Sequence, residues 1–447
     1  MNRMSIKNFL DNELCDYAKY STIRAIPSCI DGLKNSGRKV IYSAQSELNK
    51  ETKVSVFAGI TQLKTVYLHG DISEPIVKLA RNFCGSNNLP LLKASGNFGT
   101  RMLPEASATR YIFTEKQPYF NKIINPLDND ILISQEFEGE GIEPRFFVPT
   151  LPILLLNGSH GVATGFSSTI LPRNPEKVLE CILKYLKTSK IDETLLSAWF
   201  KGFKGEVIQE GNKVTTKGVW TIEKNQIVIT EIPIGYNLLS YKKILDQLED
   251  DKVIKSYEDK SDDDNFIFII KAEKSFLSKS AKDIETKLGL SKVFSENYTC
   301  IDVDNNIIVF SNVSELFKYY LDVKLEYLQK RKENIIKKKT ILLKELSSEF
   351  LFIKKVINDE IDLKTLNKKD IIEILEKEPK IVKKQNSYEY LLRIPVLNLT
   401  PDKMKELKDK ILELKSEIDS LQEKTPEKIW EEDLESLKGL VSEWRKL

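Results

Sequence analysis

Histidine is almost missing from this chain of 447 residues, which carries only His69 and His160. Cysteine is scarce as well. Cys15, Cys29, Cys84, Cys181 and Cys300 lie far apart and form no CxxC pair, which argues against a disulfide framework and against a zinc site. There is no GxxxxGK[ST] loop to cradle nucleotide phosphates and no cluster of carboxylates at ligand spacing, so neither ATP nor a metal is expected to bind this chain itself. Long hydrophobic runs are lacking too. The most apolar stretch, Leu151 to Leu156, is short and contains Pro152, and the N-terminus has no signal-peptide core. These absences predict an intracellular protein of a reducing cytoplasm, without a membrane partner.

What remains is ordinary in bulk and uneven in detail. With 41% hydrophobic and 30% charged residues, the chain suits a globular protein of two to four domains rather than a disordered one. The net charge of +2 hides an asymmetry. Residues 1 to 126 hold 17 Lys+Arg against 10 Asp+Glu, a net of +7, and the rest hold 51 against 56, a net of −5, so the excess positive charge lies at the N-terminal end. A basic end attracts the phosphate backbone through counterion release, whatever the base sequence.

The expected fold is α+β and multidomain. Residues 1–140 mix short amphipathic helical patterns with glycine and proline turns, and Ile23 to Leu48 reads as a turn followed by a helix, which suits a helix-turn-helix variant. Residues 141–313 switch to strand-like runs such as Gln226-Ile227-Val228-Ile229-Thr230 and Phe266-Ile267-Phe268-Ile269-Ile270, mixed with short helices. Asn305-Asn306 reads as a hairpin turn, which makes Asp302 and Asp304 turn-flanking residues rather than metal ligands. Residues 314–447 read as helical arms. Leu321, Leu325, Leu328, Ile335, Leu342 and Leu346 form a seam interrupted by Lys332 and Lys339, and Met404 to Leu421 form an unbroken one opened by Thr400 as N-cap with Pro401 at the first helical position. If the seams pair antiparallel, residues 347–399 form a small helical tip carrying Phe350, Phe352, Tyr388 and Tyr390.

Arg110-Tyr111, with small residues just ahead, is the stretch that carries chemistry. A phenol is a weak nucleophile at neutral pH unless a neighbouring cation or base favours the phenolate, and Arg110 can be that cation. Its guanidinium can also fork onto two phosphate oxygens and stabilise charge during an in-line displacement. Alone the pair is no proof, because buried tyrosines beside arginines are common.

Four further segments, in order, give the pair its context: Arg24-Ala25-Ile26-Pro27-Ser28 leading to Asp31-Gly32-Leu33-Lys34 and Arg38-Lys39; Tyr67-Leu68-His69-Gly70-Asp71; Asn82 to Asn88 with Gly96-Asn97-Phe98-Gly99-Thr100-Arg101; and Asn157 to Gly165 around Val162. Together with Arg110-Tyr111 they resemble the breakage-reunion subunit of type IIA DNA topoisomerases, most closely the eukaryotic enzyme and the subunit encoded by T-even bacteriophages. That resemblance implies a winged-helix DNA-binding head, an α/β tower and an antiparallel coiled coil whose tip is an exit gate holding a homodimer. It implies Tyr111 as nucleophile, Arg110 as transition-state stabiliser, Arg24 and His69 as further catalytic groups, and Lys34, Arg38, Lys39, Asn97, Arg101 and Val162 as contacts to double-stranded DNA. It also implies that Mg²⁺ and ATP are held by a partner topoisomerase subunit, and a host cytoplasm if the chain is phage-encoded.

The chain departs from the family pattern in two places. Leu68 stands where the family often has a histidine or proline, and Val162 is smaller than the usual isoleucine wedge. Nothing resembling a bacterial DNA-wrapping domain follows the second arm, so relaxation and decatenation are expected rather than wrapping-driven supercoiling. Two other readings use the same residues: an architectural DNA-binding protein, which leaves Tyr111 idle, and a hydrolytic nuclease, which never reseals its ends.

Overall fold

The computed structural model describes residues 5–263, 265–363 and 365–446. It is a mixed α/β structure that separates into two compact units, residues 1–324 with 431–447, and residues 325–430.

In the first unit, helices Cys15–Ala25, Asn35–Glu47, Val54–Thr65 and Ser73–Ala80 accompany a three-stranded antiparallel sheet with Phe113–Lys116 between Thr52–Lys53 and Leu92–Ser95. Helical spacing makes the core of this head. Val40, Ile41 and Ala44 are buried on one helix, and Phe57, Ala58 and Thr61 on the next, each set on a single stripe. The hairpin Ser134–Phe137 with Glu140–Pro144 straddles residue 140, where the sequence pattern suggests a boundary.

Beyond the head, a four-stranded antiparallel sheet runs in the order Val219–Glu223, Gln226–Glu231, Phe268–Lys271, Ser256–Asp259. Its period-2 alternation puts Ile227 opposite Ile270 and Ile229 opposite Phe268, all fully buried against Tyr241, Leu245 and Ile284 of the covering helices. The turn between Tyr298–Ile301 and Ile307–Phe310 is local chemistry. Asp302 Oδ1 accepts from the amides of Asp304 and Asn306 at 2.8 Å each, and Asn305 adopts φ 64°, so these acids serve the turn.

Burial also decides thiol reactivity. It pushes the Cys84 thiol up to about 11 and raises those of Cys29, Cys181 and Cys300, while Cys15 sits half-exposed near the N-terminus. A raised pKa leaves little thiolate near neutral pH, and thiolate is the reactive form. Titration of the native protein with a disulfide reagent at pH 8 is therefore expected to show one fast thiol and four slow ones released by denaturant; four fast thiols would contradict this packing.

The second unit is built from helix Val313–Ile357, whose residues from 325 belong to it, and helix Pro401–Glu423. The two run antiparallel: Lys332 Nζ donates to the carbonyls of Gln422 and Lys424 at 2.8 and 2.7 Å, and Lys339 Nζ lies 2.5 Å from Glu417. The lysines that interrupt the first seam are thus fasteners between the helices. Leu407, Leu414 and Ile418 are the buried positions of the second seam, and Thr400 caps its start by accepting from the Lys403 amide. At the far end Phe352, Ile361, Ile371, Leu375, Ile381, Tyr388 and Leu391 form a separate core, and the Tyr390 hydroxyl donates to the Val382 carbonyl at 2.7 Å.

The last helix is divided between the two units. The last helix, Pro426–Lys446, does not stay with the arm: from residue 431 it belongs to the first unit, burying Leu434, Leu437 and Val441, and Lys122 Nζ donates to its Ser436 carbonyl at 2.8 Å. The restart at Pro426 gives this segment its own amphipathic stripe, which needs a surface to cover it.

Candidate functional site

Arg110 and Tyr111 stand at the end of a tight turn that feeds the central strand of the head sheet. The Tyr111 amide donates to the Ala108 carbonyl at 2.9 Å, and the carbonyls of Thr109 and Ile112 accept from the Ser55 and Val54 amides at 3.2 and 3.0 Å. The first amides of helix Val54–Thr65 thereby hold the turn. Ile112 is buried and anchors it, whereas Tyr111 points outward, 66% exposed, with the Arg110 guanidinium carbon 5.0 Å from its ring centroid. Among the described residues no side chain hydrogen-bonds the Tyr111 hydroxyl, which leaves it presented to solvent.

The loop ahead of the turn is held by a residue that the sequence did not single out. Arg81 donates to the carbonyls of Phe98 and Pro104 at 3.1 and 2.7 Å. Asn97 accepts from the Gly99 amide at 2.8 Å, and Gly99, at φ +90°, lies so close to Pro104 that a Cβ would sit 2.4 Å from its carbonyl oxygen.

Arg24 and His69 meet through a third residue, Tyr20. Arg24 Nη1 donates to the Tyr20 hydroxyl at 3.0 Å, and that hydroxyl lies 2.8 Å from His69 Nε2. The three line an open cleft of about 220 Å³ together with Asn35, Ser36 and Tyr67. Nothing in the sequence flagged Tyr20, because its partner His69 is 49 residues away.

Three of the residues expected on DNA form ion pairs within the protein. Arg38 lies against Asp31 at 2.8 and 3.2 Å and also donates to the Leu33 carbonyl, while the same carboxylate accepts from the Leu33 and Phe147 amides. Lys39 is buried against Glu143 at 2.7 Å and the Thr65 carbonyl at 2.8 Å. Arg101 pairs with Glu231 at 2.6 Å and lies between Phe203 and Phe266, with guanidinium-to-ring distances of 5.5 and 5.0 Å. Each of the three charges is thus met by a carboxylate within the structure, which weakens its pull on a phosphate.

Lys34 has a double situation. Its amine donates to the His160 carbonyl at 2.7 Å, fastening the hairpin Ser159–Ala163 with Phe166–Ile170, and burial followed by the nearby Lys78 lowers its pKa. An ammonium has three donors, so two remain for other acceptors. Val162, near the hairpin's tip, is 68% exposed, and Phe166 on the paired strand is 40% exposed.

Gly161 sets where that hairpin rests: a Cβ there would lie 2.2 Å from the Ala25 carbonyl oxygen. Gly161→Ala is expected to cost about 1–3 kcal/mol as the hairpin and helix end are forced apart, read from chemical denaturation. Gly59, in a helix with nothing near its Cβ position, is the control, and its alanine variant should be neutral or gain up to about 1 kcal/mol. Equal effects at both sites would contradict the close approach.

Among the described residues, no three His, Cys, Asp or Glu side chains gather as a group that could hold a metal ion such as the implied Mg²⁺. No described helix is long and apolar enough to cross a membrane.

A basic head presenting an exposed tyrosine beside an arginine, with a histidine and a second arginine tied together on the same unit, defines a class. The chain belongs to the family of the A-type subunits of DNA gyrase and topoisomerase IV, which residues 24–435 match. It is 32% identical to the mitochondrial DNA topoisomerase 2 of Dictyostelium discoideum over 98% of its length, and spans 35% of that protein. It is 32% identical to the DNA topoisomerase medium subunit of Enterobacteria phage T4, covering 93% of this chain and 95% of that one. Among solved structures it is similar to the DNA-binding, cleavage and re-ligation domain of Plasmodium falciparum topoisomerase II, with a TM-score of 0.88 at 29% identity, over 99% of this chain and 65% of that one. The chain thus spans about a third of the length of such topoisomerase 2 relatives, 35% for the Dictyostelium protein.

Proposed function

We propose that this chain is the DNA-cleaving and religating subunit of an ATP-dependent type II DNA topoisomerase. The observation that carries the reading is Tyr111, two-thirds exposed (66%) on a rigid turn beneath the Arg110 guanidinium. Its oxygen attacks a backbone phosphate in line: the Oη–P bond forms as the P–O3′ bond breaks, and the proton lost by the phenol is balanced by the one gained at the 3′ oxygen. The product is a 5′-phosphotyrosyl link and a free 3′ hydroxyl. Because a phenolate leaves more readily than an alkoxide, the 3′ hydroxyl reverses the step without external energy. Arg110 stabilises the phosphorane-like charge, Arg24 and His69 serve the same phosphate, and Lys34, Asn97 and Val162 contact the flanking duplex.

Two such chains cut both strands, one tyrosine each, and a second duplex passes before resealing, which relaxes and decatenates DNA. The exposed Val396 and Leu397, at 77% and 89% beside the tip's own core, support a homodimer contact there. The T4 relative's description as a medium subunit supports partner chains, and those hold ATP and Mg²⁺. The site of action is the cytoplasm, that of the host if the chain is viral.

Stopping a reaction of the chain, its partner subunit, Mg²⁺ and DNA with sodium dodecyl sulfate is expected to trap protein on 5′ ends. Mass spectrometry should then place the nucleotide adduct on the peptide containing Tyr111. An adduct on another residue would overturn Tyr111 as the nucleophile, free ends that do not reseal when salt is raised would select the nuclease reading, and no cut at all would select the architectural one.

A further inference from the structure

Within the Arg24–Tyr20–His69 cluster, Tyr20 belongs to none of the motifs that define the site, yet it touches both of the others. Tyr20 and Arg24 lie on helix Cys15–Ala25 at i and i+4, on one face. His69 arrives from the segment between helices Val54–Thr65 and Ser73–Ala80.

The proton positions follow from counting donors. A guanidinium has no acceptor, so at the 3.0 Å contact the Tyr20 oxygen accepts from Arg24 Nη1. Its single proton is then available to His69. The shorter contact is to Nε2 at 2.8 Å; Nδ1, at 3.5 Å, is too far to compete. In the arrangement where the Tyr20 proton points at Nε2, Nε2 accepts it and the imidazole proton sits on Nδ1. The ring is also held from two sides, with Tyr20 tilted at 53° and 5.9 Å and Tyr67 edge-on at 75° and 5.7 Å. Arg24 in turn stacks on Tyr20, its Cζ 5.2 Å from the ring centroid.

We propose that Tyr20 is a positioning residue that fixes His69 as the Nδ1–H tautomer, so that Nδ1 is the nitrogen offered to the DNA phosphate. The inference rests on the reading of this chain as a DNA-cleaving subunit, and it deepens the role of His69. With Nε2 occupied by the Tyr20 hydroxyl, His69 acts as a hydrogen-bond donor to the phosphate or leaving oxygen, not as a base taking the Tyr111 proton through Nε2. The same hydroxyl holds one Arg24 nitrogen and leaves the other guanidinium donors for phosphate.

The test has an arm that needs no activity. The sequence holds only two histidines, so ¹⁵N-histidine labelling of the full chain gives two imidazole patterns, assigned with His160→Gln. The expected result is a neutral His69 protonated on Nδ1, and a change toward Nε2–H in Tyr20→Phe, which keeps the ring and loses only the hydroxyl. The second arm is single-turnover cleavage with the partner subunit. Tyr20→Phe should cleave about 10- to 100-fold more slowly with unchanged DNA affinity. A wild-type His69 protonated on Nε2, an unaltered tautomer in Tyr20→Phe, or wild-type cleavage by that variant would each overturn the proposal. Failure of the cleavage reading is separate: it shows as a wild-type complex that never forms a Tyr111 adduct.

Discussion

Tyr111→Phe is expected to bind DNA as the wild type does and to lose covalent complex formation entirely. The side chain is 66% exposed and, among the described residues, gives its hydroxyl no hydrogen-bond partner, so removing one oxygen should change stability by less than about 0.5 kcal/mol. The same oxygen is the attacking atom. Deleting a nucleophile that no neighbour can replace typically lowers turnover by about 10⁵-fold or more, down to background. Arg110→Ala is the graded companion. Loss of one preorganised charge stabiliser should slow cleavage by about 10²- to 10³-fold while Tyr111 still forms the adduct. Denaturing gels of end-labelled DNA after timed quenching measure both variants. Residual trapping in Tyr111→Phe near the wild-type level would show that another residue is the nucleophile.

The second large effect is structural. The side chains of Arg173 and Glu296 are both fully buried at 0% exposure and form a forked pair, Nη1 to Oε1 at 2.6 Å and Nη2 to Oε2 at 2.8 Å. Every remaining polar direction is filled: Arg173 Nε donates to the Leu196 carbonyl, and Glu296 accepts from the Tyr298 hydroxyl and the Leu171 amide. Burial pulls the Arg173 pKa down, but Glu296 more than offsets this and leaves it raised, so the guanidinium keeps its charge. Glu296→Ala strands a guanidinium in the interior, which costs about 3–5 kcal/mol and should lower the melting temperature on the order of 10 °C. Replacing both partners with leucine should recover much of that loss, because the unpaired charge disappears. Calorimetry of the single and double variants decides it; a single variant within about 1 kcal/mol of wild type would mean the pair is hydrated and not sealed.

The pair also bears on function. Arg173 and the strand Phe166–Ile170 are sequence neighbours, and the Thr169 and Asn297 backbones exchange hydrogen bonds at 2.9 Å just beside Glu296. A loosened pair would therefore loosen the base of the hairpin that carries Val162.

What could be read from the sequence alone was what depends on adjacent residues. Arg110 and Tyr111 are neighbours in the chain, so their juxtaposition is covalently guaranteed; the Asp302 turn and the Thr400–Pro401 helix start follow from short-range hydrogen bonding and fixed φ. The seams of leucine and isoleucine at spacings of 3 and 4 announced the long helices by periodicity alone. Only the folded chain decided which cations are free. Lys39 finds Glu143 across 104 positions and Arg101 finds Glu231 across 130, while Tyr20 reaches His69 across 49. A sequence names charges but not their distances, and the strength of a charge or a hydroxyl toward a ligand depends on what already lies within a few ångströms of it. Lys332 and Lys339, read as flaws in a seam, became its cross-links for the same reason, and the helix after Pro426 left the arm because its apolar stripe was covered elsewhere.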